Sequence, residues 1–252
     1  MKPQVYIDPS PAEHFTKFHE RTRTRRPDWV YRLARVILTI PVLAIYRFRA
    51  IGVDNVPLRG PVILAPNHFS FFDHFFVAVL VRREVQFMAK SQLFQPPLLD
   101  FILTHGGTFP VRRGQKDEEA FITAHSVLGR GGTVLMYAEG GRSRSKRLGE
   151  PKPGLGRLAL ESGVPVVPIA IHGSQHVREA KRGRISPKVT VQYGEPIVYE
   201  RVEHPTREQS QQVAHEVVES VKAMYEALDA QGRRGVLARL RSERRHGAPV
   251  TS

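Results

Sequence analysis

The sequence predicts an α/β fold: a mixed, mostly parallel central sheet flanked by helices, with an N-terminal membrane-surface helix. Three observations predict it. Short apolar runs alternate with stretches of helical spacing from Gly60 onward, as in sheets with helices on their faces. The 252 residues, 41% hydrophobic and 25% charged, are enough to bury a sizeable core. The stretch "VILTIPVLAIYRFR" (36–49) is apolar from Val36 to Tyr46, bar one threonine and one proline, with arginines on both sides.

Taken in order, residues 1–50 form a basic arm and an amphipathic, membrane-associated helix. The arm, 1–28, is mostly solvated charge and has no apolar centre of the kind a cleavable signal peptide carries. Eleven apolar helical residues rise only about 16 Å against a hydrocarbon core of about 30 Å, so the helix lies on a membrane rather than across it. Trp29 and Tyr31 are expected at the headgroups, with Arg32 and Arg35 toward anionic lipid. The competing reading packs this helix on the domain, and both hold if they use different faces.

The main domain is expected over 51–230. Strands are predicted at 61–67, 84–90, 133–139, 164–171 and 188–196, and a short extended piece in "GGTFPVRRG" (106–114). Helices are predicted at 71–81, 97–107, 116–132, 154–163 and 207–230. The last has Val213, Val217, Val221, Met224 and Leu228 on one face and Thr206 as its cap. Residues 231–252 read as a basic flexible tail, with a short amphipathic helix after Gly232 as the alternative.

With 38 Lys+Arg against 24 Asp+Glu, the net charge of +14 favours an anionic partner. No helix pattern presents a basic recognition face, which argues against nucleic acid and for an anionic membrane surface or phosphorylated substrates. The absence of cysteine excludes a disulfide framework, thiolate zinc sites and a cysteine nucleophile.

Candidate chemistry begins in "NHFSFFDHF" (67–75). His68 and Asp73 can meet only if His68 lies in the loop after a strand and Asp73 in the first turn of the next helix. Ser70-x-x-Asp73 also fits a capping box. General-base catalysis and capping are both open at this point. No protein nucleophile accompanies the pair, which points to activation of a substrate hydroxyl. A metal site from His68, Asp73 and His74 is disfavoured by the divergence of neighbouring side chains. Further on, "EGGRSRSK" (139–146) follows a strand with glycines and then Arg142, Arg144 and Lys146. The stretch 106–114 repeats that plan with Arg112 and Arg113, as a phosphate-bearing ligand held from two sides would require.

These segments resemble, over about residues 50–200, the glycerolipid acyltransferase family typified by 1-acylglycerol-3-phosphate acyltransferases. Four blocks appear in the family's order: Asn67-His68 with Asp73, "GGTFPVRRG" with Arg113, "YAEGGRS" with Glu139, Gly140, Arg142 and Ser143, and "VPVVPIAI" with Val164, Pro165 and Pro168. Lys90 in "MAKSQLF" also fits. Gly141 stands where the family commonly has threonine, and Arg112 where an aspartate often precedes the arginine.

The resemblance implies His68 as the base, oriented by Asp73. Arg113 and Arg142 would bind the acceptor's phosphate, with Lys90, Gly140 and Gly141 beside them and Glu139 holding the loop. It implies acyl transfer from acyl-CoA or acyl carrier protein to lysophosphatidate in phospholipid synthesis, with no metal and no redox cofactor. Glycerol phosphate, another lysolipid or a glycolipid are alternative acceptors. The expected location is the cell membrane, peripheral or monotopic on the cytoplasmic face.

Overall fold

The structure is a computed structural model that describes residues 10–112, 117–143, 145, 147–177 and 187–245. Its strands are β1 (Arg49–Ile51), β2 (Val62–Pro66), β3 (Gln86–Lys90), β4 (Thr108–Val111), β5 (Thr133–Leu135), β6 (Val166–His172) and β7 (Thr190–Tyr193). Its helices are α1 (Thr16–Thr24), α2 (Trp29–Ile45), α3 (Asp73–Ala78), α4 (Pro97–His105), α5 (Glu118–Gly129), α6 (Pro153–Ser162) and α7 (Arg207–Arg245).

The seven strands form one sheet in the order β1-β7-β6-β2-β5-β3-β4. Every neighbouring pair is parallel except β6 with β7. The central strand β2 is buried at every position, which is why it reads as a continuous apolar run. Successive side chains point to opposite faces. Val62 and Leu64 pack with Phe76, Val77 and Val42, whereas Ile63 and Ala65 pack with Leu155, Leu158, Val213 and Val217. Helices α2 and α3 therefore cover one face, and α5, α6 and α7 the other.

Three expectations change, and one strand is added. The described part of the arm, 10–28, packs on the domain instead of lying in solvent: Phe15 and Phe18 bury against Phe94, and His19 Nδ1 meets Thr123 Oγ1 at 2.9 Å. Phe15, Phe18, His19 and Thr22 recur every three or four residues, which makes α1 amphipathic despite its charge. Tyr31 is only 7% exposed, and its hydroxyl accepts from Val85 N at 3.1 Å, so it lies inside the domain and not at a headgroup. The segment after Gly232 is helix as far as Arg245. Gly232 adopts φ 62°, which kinks the helix and redirects it so that Val236 is fully buried and Leu237 and Leu240 pack near Ile51 and Leu228. Strand β1 was not foreseen, because its three residues open on an arginine and carry no strand pattern.

Helix α2 uses two faces. Val30, Tyr31 and Val42 face inward. Trp29, Leu33, Val36, Ile37, Ile40 and Leu43 remain exposed, Val36 at 68% and Ile40 at 73%. Leu98, Phe101 and Ile102 of the adjoining α4 are exposed as well. No described helix is long and apolar enough to cross a membrane.

Candidate active site

The parallel strands β2, β5, β3 and β4 end along one edge of the sheet, where α/β proteins place their ligands. His68 follows β2 by two residues. Asn67 fixes the exit of that strand, donating from Nδ2 to Ile171 O (3.1 Å) and accepting from Ile171 N at Oδ1 (2.7 Å). These two bonds continue the ladder with β6 through a side chain and set the direction in which the next residue leaves.

His68 Nδ1 lies 3.0 Å from Asp73 Oδ2, with Asp73 wholly buried and His68 8% exposed. The same Oδ2 accepts from Phe69 N and Ser70 N, each at 2.7 Å, and Ser70 Oγ accepts from Phe72 N at 3.2 Å. Capping and pairing are therefore one arrangement: the carboxylate that closes the turn before α3 also holds the imidazole. With Nδ1–H given to Asp73, the ring's lone pair sits on Nε2. Among the described residues Asp73 Oδ1 has no hydrogen-bond partner. The carboxylate thus spends its bonds on one oxygen.

Tyr137, two residues past β5, stacks on the His68 ring with centroids 3.8 Å apart and planes 16° apart. Sequence reasoning missed it. It lies past the end of β5, where the chain already turns through the Gly140 N to Tyr137 O bond, so no strand alternation pointed to it.

Glu139 joins the loops. Oε1 accepts from His68 N (3.0 Å) and Oε2 from Gly149 N (3.1 Å). Ser143 N donates to His68 O at 2.8 Å, so the Gly/Arg loop is tied to the histidine from two sides. Gly140 takes φ 66°, a turn open to glycine. Burial pushes the Glu139 carboxyl up to about 7, against the lowering effect of its two N–H donors and with a further rise from Asp73. A folded pKa above the free value means a stability contribution complete below about pH 4.5 and lost as pH rises through about 7. Glu139→Gln places an amide donor against a backbone N–H, and turnover is expected to fall roughly tenfold. Its melting temperature is expected to be lowered most at pH 5, with the gap to wild type closing by pH 8.

His74 packs among Phe71, Phe75 and Phe87. Burial, with the nearby His68 and Arg142, drives its pKa down to about 3, so it is neutral wherever His68 can act as a base. A depressed histidine contributes stability that is full above about 6.5 and is lost as pH falls toward 3. His74→Phe is expected to flatten that acid limb in thermal melts from pH 7 to pH 4. Among the described residues no three His, Asp or Glu side chains gather as a metal site requires.

The structure brings His68, Asp73, Glu139, Gly140, Gly141 and Arg142 together. Lys90 ends β3 on the same edge, paired in register with Val111, and makes no ion pair among the described residues. Arg113, Arg144 and Lys146 lie outside the described residues. Arg112, expected to add charge toward a phosphate, turns to Asp117 instead, with Nε 3.8 Å from Oδ2 and its N donating to that oxygen at 2.6 Å. Of the phenylalanines here, Phe76 alone is fully buried, Phe71 is exposed, and Phe69, Phe72 and Phe75 lie between.

The acyltransferase family model matches residues 47–172, half of the chain, and the chain belongs to that family. It is similar to the 1-acyl-sn-glycerol-3-phosphate acyltransferase LPAT1, chloroplastic, of Arabidopsis thaliana, 27% identical over 56% of this chain and 40% of that protein. It is 31% identical to the 1-acyl-sn-glycerol-3-phosphate acyltransferase of Limnanthes douglasii over 58% of this chain and 53% of that protein. A glycerol-3-phosphate acyltransferase of Pseudomonas fluorescens is 28% identical over 52% of this chain and 17% of its own length. The matched region thus spans about half or less of these curated relatives. The crystal structure of the 1-acyl-sn-glycerophosphate acyltransferase PlsC from Thermotoga maritima shares the fold. Its TM-score is 0.59 at 22% identity, over 86% of this chain and 89% of that one.

Proposed function

We propose that this protein moves a fatty acyl group from acyl-CoA or acyl carrier protein to the free hydroxyl of lysophosphatidate, giving phosphatidate. The observation that supports this reading is the His68 Nδ1–Asp73 Oδ2 bond, in a loop that Ser143 N ties to the Gly140–Gly141–Arg142 turn, with Nε2 as the proposed base. Nε2 takes the proton of the acceptor hydroxyl as its oxygen attacks the thioester carbonyl. The tetrahedral intermediate collapses, the C–S bond breaks, and the imidazolium returns its proton to the departing thiolate. Asp73 stabilises the imidazolium between these steps. The thioester provides the activation, so the reaction balances without a metal or redox group.

Arg142 and Arg113, with Lys90, are the proposed partners of the acceptor phosphate, and Glu139 positions their loop. Backbone amides of the Gly140–Gly141 turn are the proposed donors to the oxyanion, where much of the rate enhancement arises. The exposed stripe of α2 and the apolar face of α4 are the proposed contact with the cytoplasmic leaflet, which brings a lipid acceptor and a soluble donor to one edge.

Thiol release from oleoyl-CoA, measured with lysophosphatidate, glycerol 3-phosphate, other lysolipids or no acceptor, tests the assignment. Release fastest with lysophosphatidate and negligible without acceptor is the expected result. Release fastest with glycerol 3-phosphate would favour the second reading, which the similarity to the Pseudomonas protein supports. Acceptor-independent release would contradict both.

A further inference from the structure

The acceptor's phosphate accounts for the Gly/Arg loops but leaves another group of arginines without a use. Arg49, Arg233, Arg234 and Arg241, with Leu237 and Ala238, line a cavity of about 350 Å³ between β1 and the last part of α7. Among the described residues none of the four pairs with a carboxylate; Arg233 donates to Arg47 O at 2.7 Å, and the nearby Arg239 is the one that meets Glu243. The kink at Gly232 creates this grouping. It turns the helix so that Val236 buries, and so sets three of its arginines against Arg49. Uncompensated like charges repel, so their convergence in a cavity calls for an anion.

The cavity lies on the catalytic edge. Because β1 and β7 run opposite to β6, Arg49 pairs in register with Thr190, and Thr190 with His172 at the end of β6. Strand β6 adjoins β2, which leads to His68. Three strand spacings separate the two sites, about 14 Å. A second route agrees. Tyr225 of α7 touches both Phe69 and His172, with centroids 5.7 and 5.2 Å apart. From Tyr225 to Gln231, just before the kink, the helix rises about 9 Å, and Arg233 follows two residues on. Asp229, which lies between, is taken by His172 Nε2 at 3.2 Å.

We propose that these four arginines bind the phosphates of the acyl-CoA donor. The inference rests on the acyl-transfer reading and adds the donor's site to it. An extended pantetheine arm carries its sulfur roughly 15 Å from the diphosphate. Phosphates seated in this cavity therefore place the thioester at His68. The four guanidinium groups suit a nucleotide bearing a diphosphate and a ribose phosphate, and the Leu237 side chain offers an apolar wall.

Equilibrium titration of the full chain with coenzyme A itself, without an acyl chain, tests the site. The comparison is with a triple variant, Arg49→Gln, Arg234→Gln and Arg241→Gln, which leaves Arg233 on Arg47 O. Its targets are exposed, so its melting temperature should match wild type. The dissociation constant for coenzyme A is expected to rise at least tenfold. Dephospho-coenzyme A, lacking the ribose phosphate, should bind wild type more weakly than coenzyme A but bind the variant equally. In turnover, KM for oleoyl-CoA should rise by the same factor while KM for lysophosphatidate holds.

Equal coenzyme A binding by both proteins would overturn the proposal. So would a variant that keeps coenzyme A but loses sedimentation with phosphatidylglycerol vesicles, since the cavity would then serve lipid headgroups. A wild type that uses only acyl carrier protein and does not bind coenzyme A would overturn it too. If coenzyme A binds through these arginines but no acceptor elicits thiol release, the phosphate site stands and the acyl-transfer reading falls.

Discussion

Asp73→Asn is expected to lower kcat by about a thousandfold while leaving the protein folded. The asparagine carbonyl can occupy the position of Oδ2 and keep the bonds from Phe69 N, Ser70 N and the His68 ring. Its amide then falls where Oδ1 sits without a partner, at a cost of about 1–3 kcal/mol for the buried donor. Cap, tautomer and ring orientation survive. What disappears is the buried negative charge proposed to stabilise the imidazolium. Turnover with lysophosphatidate, alongside a thermal melt, checks the split. A loss of less than tenfold would reduce Asp73 to a helix cap.

Val36→Glu with Ile40→Glu is expected to weaken binding to anionic vesicles at least a hundredfold. Each of these side chains is largely exposed, and burying one contributes roughly 1.5–3 kcal/mol, so removing two and adding two charges abolishes most of the apolar drive. Neither touches the core, so the fold should hold. Co-sedimentation with phosphatidylglycerol vesicles measures the loss, and turnover of a short-chain soluble acceptor should fall less than twofold. Unchanged sedimentation would assign the stripe to another partner.

Legibility in the sequence followed burial. Strands β2, β5, β6 and β7 were readable because both faces are covered, and α5, α6 and the first part of α7 because one stripe faces the sheet. The pairing of His68 with Asp73 could be derived as geometrically possible, but the choice between cap and base partner could not. One oxygen of Asp73 both accepts from Ser70 N and meets the His68 ring, so the two readings share a single arrangement. Long-range features were hidden. Nothing local in Tyr137 announces a ring stacked on a histidine 69 positions earlier. Arg112 reads as a phosphate ligand until Asp117, five residues on, is seen to bond its backbone and approach its side chain. An amphipathic helix could be read after Gly232, but one buried valine among so many arginines is too faint a period to show that it packs on the domain.

The measurement that bears most directly on the central claim is acceptor-dependent thiol release from oleoyl-CoA by wild type and His68→Ala, at saturating lysophosphatidate. Wild-type release that needs the acceptor and drops at least a thousandfold in the variant, with an unchanged melt, is the predicted result. Release that persists in His68→Ala at a comparable rate would contradict it and leave His68 as a structural histidine beside a helix cap.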